Sequence, residues 1–211
     1  MSMIEPVIRQ QYDQMSAIYD QRWSQYISNT LNFLKAWAEL APTEKVLDIA
    51  CGTGEFEQLI LTEHSEQNMV GVDISEKMLA IAQQKLQAYP NVTLSLASAE
   101  HLPFADQSFD VIVSASAFHY FENPAIALAE MKRVLKPNGK IMILDWCKDY
   151  LLCRICDLIL KVTDPAHQQC YTQAELHGFL KASGFDLTRA TKVRFGLVWG
   201  MMVATASPKL N

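Results

Sequence analysis

The period of the apolar positions changes near residue 43. Between residues 30 and 40, Leu31, Leu34 and Ala38 recur three or four positions apart, and Pro42 is expected to follow the end of a helix. Later in the chain, short apolar runs alternate with helical stripes, and no repeat or flexible linker divides them. We therefore predict a single domain over residues 1–211, with a helical cap over residues 1–43 and an α/β core over residues 44–211.

Five short apolar runs in the core predict β-strands. They occupy residues 45–50, 69–74, 92–97, 109–114 and 140–146. Counted as five β-then-α units, they predict a parallel sheet with helices on both faces. Two more β-rich segments, 187–195 and 197–205, follow each other without a helix and predict an antiparallel hairpin at one edge. The predicted fold class is doubly wound α/β.

Local capping signals mark several helix ends. Ser75 precedes an apolar stripe and predicts an N-cap. Thr172, with Glu175 three residues later, has the form of a capping box, and Gly184 is expected to end that helix. A further helix, mostly apolar, is predicted for residues 150–162.

Composition excludes several classes of function. The 211 residues carry 18 basic and 23 acidic side chains, a net charge of −5, with no Lys/Arg run to neutralise nucleic-acid phosphates. The longest uncharged stretch, residues 195–208, contains Gly, Ser and Pro and is too short to span a membrane. Five unevenly spaced cysteines argue against a disulfide scaffold and favour a reducing cytoplasm. Chemistry on a small molecule, without nucleic acid or a membrane span, is the remaining expectation.

The turn after the first predicted strand has the composition of a ligand cradle. Gly52 and Gly54 allow close approach of a ligand, but Glu57 stands where a dinucleotide fingerprint needs a third glycine. Asp48, four residues before Gly52, suits a ligand with an amino group or a cationic centre. Asp73 ends the second strand, where a carboxylate can accept hydrogen bonds from ribose hydroxyls. These residues predict a nucleoside ligand without a diphosphate.

Residues 46–54, VLDIACGTG, resemble the first motif of class I S-adenosylmethionine-dependent methyltransferases of the type 11 group. Residues 72–75 resemble the second motif, residues 99–104 the adenine loop, and residues 133–139 the turn before strand five. The resemblance covers nearly the whole chain. It implies a methyltransferase that uses S-adenosylmethionine and releases S-adenosylhomocysteine.

The resemblance also implies a strand order of 3-2-1-4-5-7-6 and a set of cofactor-binding residues. Asp73 would hold the ribose, Ile74 and Met78 would flank the adenine, and Tyr19 would close over the cofactor. Where the family commonly has Asp to accept a bond from the adenine amino group, this chain has Ser98, a weaker acceptor. The full set carried over is Tyr19, Asp48, Ala50, Gly52, Gly54, Asp73, Ile74, Met78, Ser98, Ala99, Glu100 and Ser114.

His119 is the candidate general base, since it lies just beyond strand four, at the expected mouth of the pocket. The alternative is a histidine hydrogen-bonded beneath a loop. The Asn/Asp-Pro-Pro-aromatic signature of base-methylating enzymes is absent from this position. We expect a small, partly apolar acceptor, methylated on O, N or C, in a cleft lined by aromatic side chains. The candidates for that lining are Trp23, Tyr26, Trp146 and Tyr150.

Four cysteines lie close together in the chain after strand five: Cys147, Cys153, Cys156 and Cys170. Cys153 and Cys156 stand at i and i+3 on one helix face, which could meet a soft metalloid. Their spacing is not a zinc motif, and we expect no metal. Two alternatives to the leading hypothesis stay open: thiol-assisted methylation of arsenite, and a cofactor-binding protein without transferase activity. We expect a monomer or a homodimer.

Overall fold

A computed structural model describes residues 4–196 and 199–209. Its centre is a seven-stranded sheet in the order β3-β2-β1-β4-β5-β7-β6. The strands are β1 Val46–Ile49, β2 Met69–Asp73, β3 Val92–Leu96, β4 Phe109–Ala115, β5 Leu135–Trp146, β6 Phe185–Phe195 and β7 Trp199–Pro208. The predicted strand order and the doubly wound α/β class are confirmed.

The sheet is parallel except at β7, which runs antiparallel to both of its neighbours. Strand β1 lies inside the sheet between β2 and β4, with Val46 paired to Met69 on one side and to Val111 on the other. All four β1 residues are buried, as expected for a strand covered on both faces. The predicted edge hairpin is formed by β6 and β7; the expected start of its second strand, Leu197, lies outside the described residues.

Six α-helices are described in this part of the chain: α1 Glu5–Ala38, α2 Glu55–Leu61, α3 Glu76–Leu86, α4 Pro124–Val134, α5 Leu151–Thr163 and α6 Gln173–Ala182. The predicted caps are present. Ser75 Oγ accepts a hydrogen bond from Met78 N at 3.1 Å, and Thr172 with Glu175 forms the capping box at the start of α6. None of the described helices combines the length and apolarity needed to cross a membrane.

Two predictions about helices are corrected. The region predicted as a helical cap over residues 1–43 contains one continuous helix of 34 residues, α1. It ends where Glu39 takes a left-handed conformation. The third strand is not followed by a helix, so the predicted number of five β-then-α units is wrong. The β3–β4 connection is instead a loop held from α4, where the Arg133 guanidinium donates to the carbonyl oxygens of Leu102 (2.9 Å) and Phe104 (2.7 Å).

Two apolar layers cover the sheet. One packs Ile49 and Ile112 against α4 and α6, and the other packs Val46 and Val111 against α1 and α2. Helix α1 also reaches the carboxyl ends of the strands: Ser75 Oγ donates to Asp13 at 2.6 Å. The helix thus covers the edge of the sheet where ligands of doubly wound folds bind. The division into a cap and a core within one domain stays a prediction.

Candidate cofactor site and its surroundings

A cavity of about 820 Å³, part of it open to solvent, lies at the carboxyl ends of the central strands. Its walls come from α1, from the turn after β1, from the end of β2 and from the loops after β3 and β4. The lining includes most of the predicted residues: Tyr19, Ala50, Gly52, Asp73, Ile74, Met78, Ser98, Ala99 and Glu100. Asp48 lines a neighbouring cavity that shares Tyr19, Ala50 and Gly52.

Two predicted residues lie away from both cavities. Ser114 is fully buried in β4, with its hydroxyl unpartnered. Gly54 packs on α3, where an added Cβ would lie 2.9 Å from the side chain of Leu86. Its role is to let α2 and α3 approach each other, and it does not line the ligand space.

The glycine turn leaves open space beside the backbone. Gly52 has φ +56°, a left-handed conformation that favours glycine, and a Cβ there would meet nothing within 4 Å. Its N–H donates to Asp73 Oδ2 at 2.9 Å. The turn is therefore fixed from the end of β2, and its exposed backbone faces the cavity.

Asp73 organises the end of β2. Oδ2 accepts from Gly52 N, and Oδ1 accepts from Ser75 N at 2.8 Å. Burial raises the pKa of Asp73, while the same N–H donors lower it; the net shift is upward. Since a carboxylate has about four lone-pair sites, lone pairs remain to accept bonds from a ligand in the cavity.

Two further carboxylates lie beneath the turn with little to neutralise them. Asp48 Oδ1 has no hydrogen-bond partner, and burial, then Glu57 and Asp73, raise its pKa well above the ordinary value. Glu57 is fully buried with both oxygens unpartnered, and burial raises its pKa to about 7. Such buried acidic groups suit a cationic ligand. The sequence pattern indicated only that Glu57 stands where a dinucleotide fingerprint has its third glycine, and it did not predict a buried carboxylate.

Ser98, which replaces the aspartate common in the family, lies beside a different carboxylate. Its hydroxyl donates to Glu5 Oε1, from the first turn of α1, and its oxygen accepts from Glu100 N at 3.1 Å. Both Glu5 and Ser98 line the cavity. Sequence reasoning missed Glu5, because only the packing of α1 brings residues 5 and 98 together.

Three tyrosines, Tyr12, Tyr19 and Tyr120, line the same cavity as Gly52 and Ser98. The ring centroids of Tyr12 and Tyr19 are 5.9 Å apart, and those of Tyr12 and Tyr120 are 5.7 Å apart. Burial raises the pKa of Tyr120 to about 12 and those of Tyr12 and Tyr19 above their usual value. All three stay neutral and present apolar ring surface to a ligand.

His119 does not line the cavity, contrary to the expected place at its mouth. Its ring is buried, with Nδ1 2.6 Å from Asp145 Oδ1, and its backbone N–H donates to Asp145 Oδ2 at 2.8 Å. Nε2 has no partner. Ala117 and Tyr120, on either side in sequence, do line the cavity. Sequence reasoning missed Asp145, although its place near the end of β5, beside β4, was a usable signal.

An aromatic group adjoins His119. Trp146 stacks on the His119 ring at 5.0 Å and donates from Nε1 to Tyr26 OH at 2.8 Å. Tyr26 is 2.6 Å from Ser116 Oγ, and Trp23 and Trp199 pack against Tyr26. This group contains three of the four predicted aromatic residues. The fourth, Tyr150, stacks instead under Arg194.

Cys153 and Cys156 belong to α5, and Cys147 and Cys170 lie in the segments before and after it. Cys153 and Cys156 border one small crevice with Trp146 and Trp199, but the thiol of Cys153 contacts Cys170. That hydrogen bond, then burial, raises the pKa of Cys170. The ligand atoms of Asp157, His167 and Cys170 lie within 4.8 Å of one another. Asp157 is already engaged by His167 Nε2 at 2.9 Å and by an ammonium group, Lys161 Nζ, at 3.1 Å, an environment that disfavours a cation.

Comparison with known proteins identifies the family. A sequence profile of the methyltransferase domain family matches residues 47–143. Demethylmenaquinone methyltransferase of Staphylococcus epidermidis is 30% identical over 188 residues, which cover 85% of this chain and 75% of that protein. The chain is a class I S-adenosylmethionine-dependent methyltransferase of the type 11 group.

Other relatives of this methyltransferase match over shorter spans or in fold alone. The ubiquinone/menaquinone biosynthesis C-methyltransferase UbiE of Cupriavidus pinatubonensis is 39% identical over 118 residues, 55% of this chain and 49% of UbiE. The match thus spans about half the length of that relative. The structure of YcgJ from Bacillus subtilis superposes with a TM-score of 0.75 at 20% identity, covering 87% of this chain and all of YcgJ. That likeness shows the fold.

The cofactor of this methyltransferase is S-adenosylmethionine, and the cavity fits it in three respects. The turn at Gly52 leaves space beside the backbone, Asp73 keeps acceptor capacity, and the unpartnered carboxylate oxygen of Asp48 suits an ammonium group. When bound, the cofactor supplies a methyl group on a positively charged sulfur, which is already electrophilic. The protein therefore has to position a nucleophile and exclude water.

Proposed function

We propose that the enzyme methylates a ring carbon of a small lipophilic phenol or hydroquinol. Support comes from the similarity to demethylmenaquinone methyltransferase over 85% of this chain and from the aromatic group around Trp146. The observation that carries the proposal is the buried His119–Asp145 pair with a free Nε2. A phenol carbon becomes a good nucleophile when the hydroxyl proton is removed, so this chemistry needs a base.

In this proposal His119 is the general base and Asp145 positions it. If Nδ1 carries the proton that Asp145 accepts, Nε2 is the nitrogen left to take a proton from the acceptor hydroxyl. The electron pair of the O–H bond then raises the electron density at the ring carbon. After methylation that carbon releases its own proton to solvent, which restores the aromatic ring, and the ring oxygen takes back its proton from His119 Nε2. A base placed in this way contributes typically 10²- to 10⁴-fold in rate.

We assign the cofactor contacts as part of the same proposal. Asp73 holds the ribose hydroxyls, and Asp48 faces the amino group. Glu5, held by Ser98, accepts from the adenine amino group in place of the aspartate common in the family. Ile74 and Met78 pack on the adenine, and Tyr19 covers the cofactor. A cytoplasmic location and a monomer or homodimer remain predictions.

The test uses a short-chain hydroquinol, with S-adenosylhomocysteine release and product mass as readouts. We expect methylation on carbon, and His119→Ala should lower kcat by about 10² or more. Asp145→Asn should also lower kcat, whereas cofactor affinity, measured by calorimetry, should change by less than about 1 kcal/mol in either variant.

Other outcomes would replace the proposal. Methylation of arsenite, but not of the hydroquinol, would favour the thiol-assisted alternative. Cofactor binding with no methylated product from any acceptor would favour a binding protein without transferase activity. A kcat unchanged in His119→Ala would make His119 a packing residue beneath its loop.

A further inference from the structure

Helix α5 turns its polar side toward the protein and its aliphatic side toward solvent. Only Cys153 and Asp157 are buried among its thirteen residues. Leu151, Leu158 and Val162 are 70%, 67% and 87% exposed. The other exposed large aliphatic residues of the helix are Leu152, Ile155 and Ile159. This is the reverse of the ordinary arrangement, in which the apolar stripe faces the core.

Polar contacts hold the helix in this orientation. Asp157 accepts hydrogen bonds from Cys170 N at 2.6 Å and from His167 Nε2 at 2.9 Å. These bonds fix a buried carboxylate between α5 and the loop that follows it. The aliphatic stripe is therefore not needed to attach α5 to the protein, and it remains available for an external contact.

The stripe is continuous. At 100° per residue, Leu151, Ile155, Leu158 and Val162 fall within about 60° of one another around the helix axis. An exposed apolar patch of this kind marks an interaction site. With 13 residues the helix is about 20 Å long, shorter than the roughly 30 Å hydrocarbon core of a bilayer.

The exposed charges of α5 itself are basic. They are Arg154 and Lys161, and Lys161 Nζ also pairs with the buried Asp157 at 3.1 Å. The exposed carboxylate just before the helix, Asp149, pairs with Lys192 at 3.1 Å. The exposed Arg194 lies over the ring of Tyr150, which caps the helix, at 4.9 Å. The whole chain has a net charge of −5, so cations are concentrated at this helix against the overall balance.

We propose that α5 binds the surface of an anionic lipid bilayer, with its aliphatic stripe among the acyl chains and its cations at the headgroups. An aliphatic face with basic residues at its edge is the pattern of an interfacial helix. A second copy of the chain fits less well, because two α5 faces would bring the Arg154 guanidinium groups of both copies together, and α5 has no exposed carboxylate to pair with them.

The inference rests on the proposed function, because contact with a membrane serves an enzyme whose acceptor is lipophilic. A crevice lies between α5 and the aromatic group. Cys153 and Cys156 of α5 border that crevice together with Trp146 and Trp199. Trp146 in turn stacks on His119. The helix proposed to lie on the bilayer thus adjoins the aromatic group that contacts the proposed base.

Vesicle sedimentation tests the inference without any acceptor. Wild-type protein should bind vesicles of phosphatidylglycerol and phosphatidylcholine more tightly than pure phosphatidylcholine vesicles. Leu158→Gln/Val162→Gln should weaken binding at least tenfold, given the apolar burial lost. The matched control is Ile126→Gln/Leu187→Gln, which changes exposed aliphatic residues of α4 and β6 and should bind as wild type. Arg154→Gln/Arg194→Gln should lose the preference for anionic vesicles.

Equal vesicle binding by wild type and Leu158→Gln/Val162→Gln would overturn the inference, provided that calorimetry shows normal cofactor binding by the variant. A wild-type dimer that this variant converts to a monomer, with no vesicle binding by either, would assign the face to a second copy.

Turnover separates this inference from the proposed function. The variant should methylate a soluble hydroquinol normally and a vesicle-embedded one at least tenfold more slowly. If wild type methylates neither but binds vesicles as expected, only the proposed function fails.

Discussion

Replacing Glu57 with Gln should make the cofactor-free enzyme more stable at alkaline pH. Glu57 is buried beneath the glycine turn, and neither carboxylate oxygen has a hydrogen-bond partner. A charged group in such a place loses its hydration, and the attraction of Lys85 offsets only part of that loss. Gln has nearly the same shape and no charge, so the substitution isolates the cost of the charge.

The magnitude follows from the pKa of Glu57, which burial raises from the ordinary 4.5 to about 7. Each tenfold change in proton affinity is worth about 1.4 kcal/mol, so ionised Glu57 costs the folded state about 3 kcal/mol. At pH below 4.5 the group is protonated in both states and costs nothing. Between pH 4.5 and 7 the unfolded chain ionises first, so stability falls as pH rises. Above pH 7 the loss is complete.

Urea unfolding at pH 5 and pH 8.5 measures this effect as a difference between variant and wild type. The free energy of unfolding of Glu57→Gln minus that of wild type should be about 2 to 3 kcal/mol larger at pH 8.5 than at pH 5, because a small part of the loss is already present at pH 5. The exposed Glu66→Gln is the control and should show no such change. Titrating groups far from Glu57 contribute equally in both proteins and cancel. Asp48, whose pKa Glu57 raises, adds to the difference in the same direction. The same difference at both pH values would refute the argument that burial leaves Glu57 only partly compensated.

Side chains around the cavity and beneath α5 give three further tests. Asp73→Ala should weaken S-adenosylmethionine binding by about 1.5 to 3 kcal/mol in calorimetry, since it removes a charged acceptor; equal affinity would take Asp73 away from the ribose. Glu5→Gln should weaken binding by roughly tenfold, and unchanged affinity would show that Glu5 does not replace the missing aspartate. Cys153→Ser/Cys156→Ser should fold, bind cofactor and, like wild type, hold no stoichiometric zinc by metal analysis. Tight arsenite uptake lost in that double variant would instead support the arsenic alternative.

The sequence alone determined the features that depend on near neighbours in the chain. The cap at Ser75 and the capping box at Thr172 are formed by residues three positions apart, so their pattern is complete in the sequence. The alternation of strands and helices predicted the layered sheet, and the resemblance of four short segments to the methyltransferase family implied the strand order. These signals are strong because each is repeated or contained within a few residues.

The tertiary structure decided the contacts between distant segments. Glu5 meets Ser98, and His119 meets Asp145, only because α1 crosses the sheet edge and β4 lies beside β5. A helix was wrongly predicted between β3 and β4. The loop found there is held by Arg133, which lies in another part of the chain. Sequence spacing contains no record of such pairs.

Helix α5 shows the same limit most clearly. Its apolar pattern predicted a helix, and the helix is present. A periodic pattern shows that one side of a helix is apolar, but it does not show which side meets the protein. Asp157 decided that here, because its hydrogen bonds to Cys170 and His167 turn the carboxylate inward and leave the aliphatic side exposed.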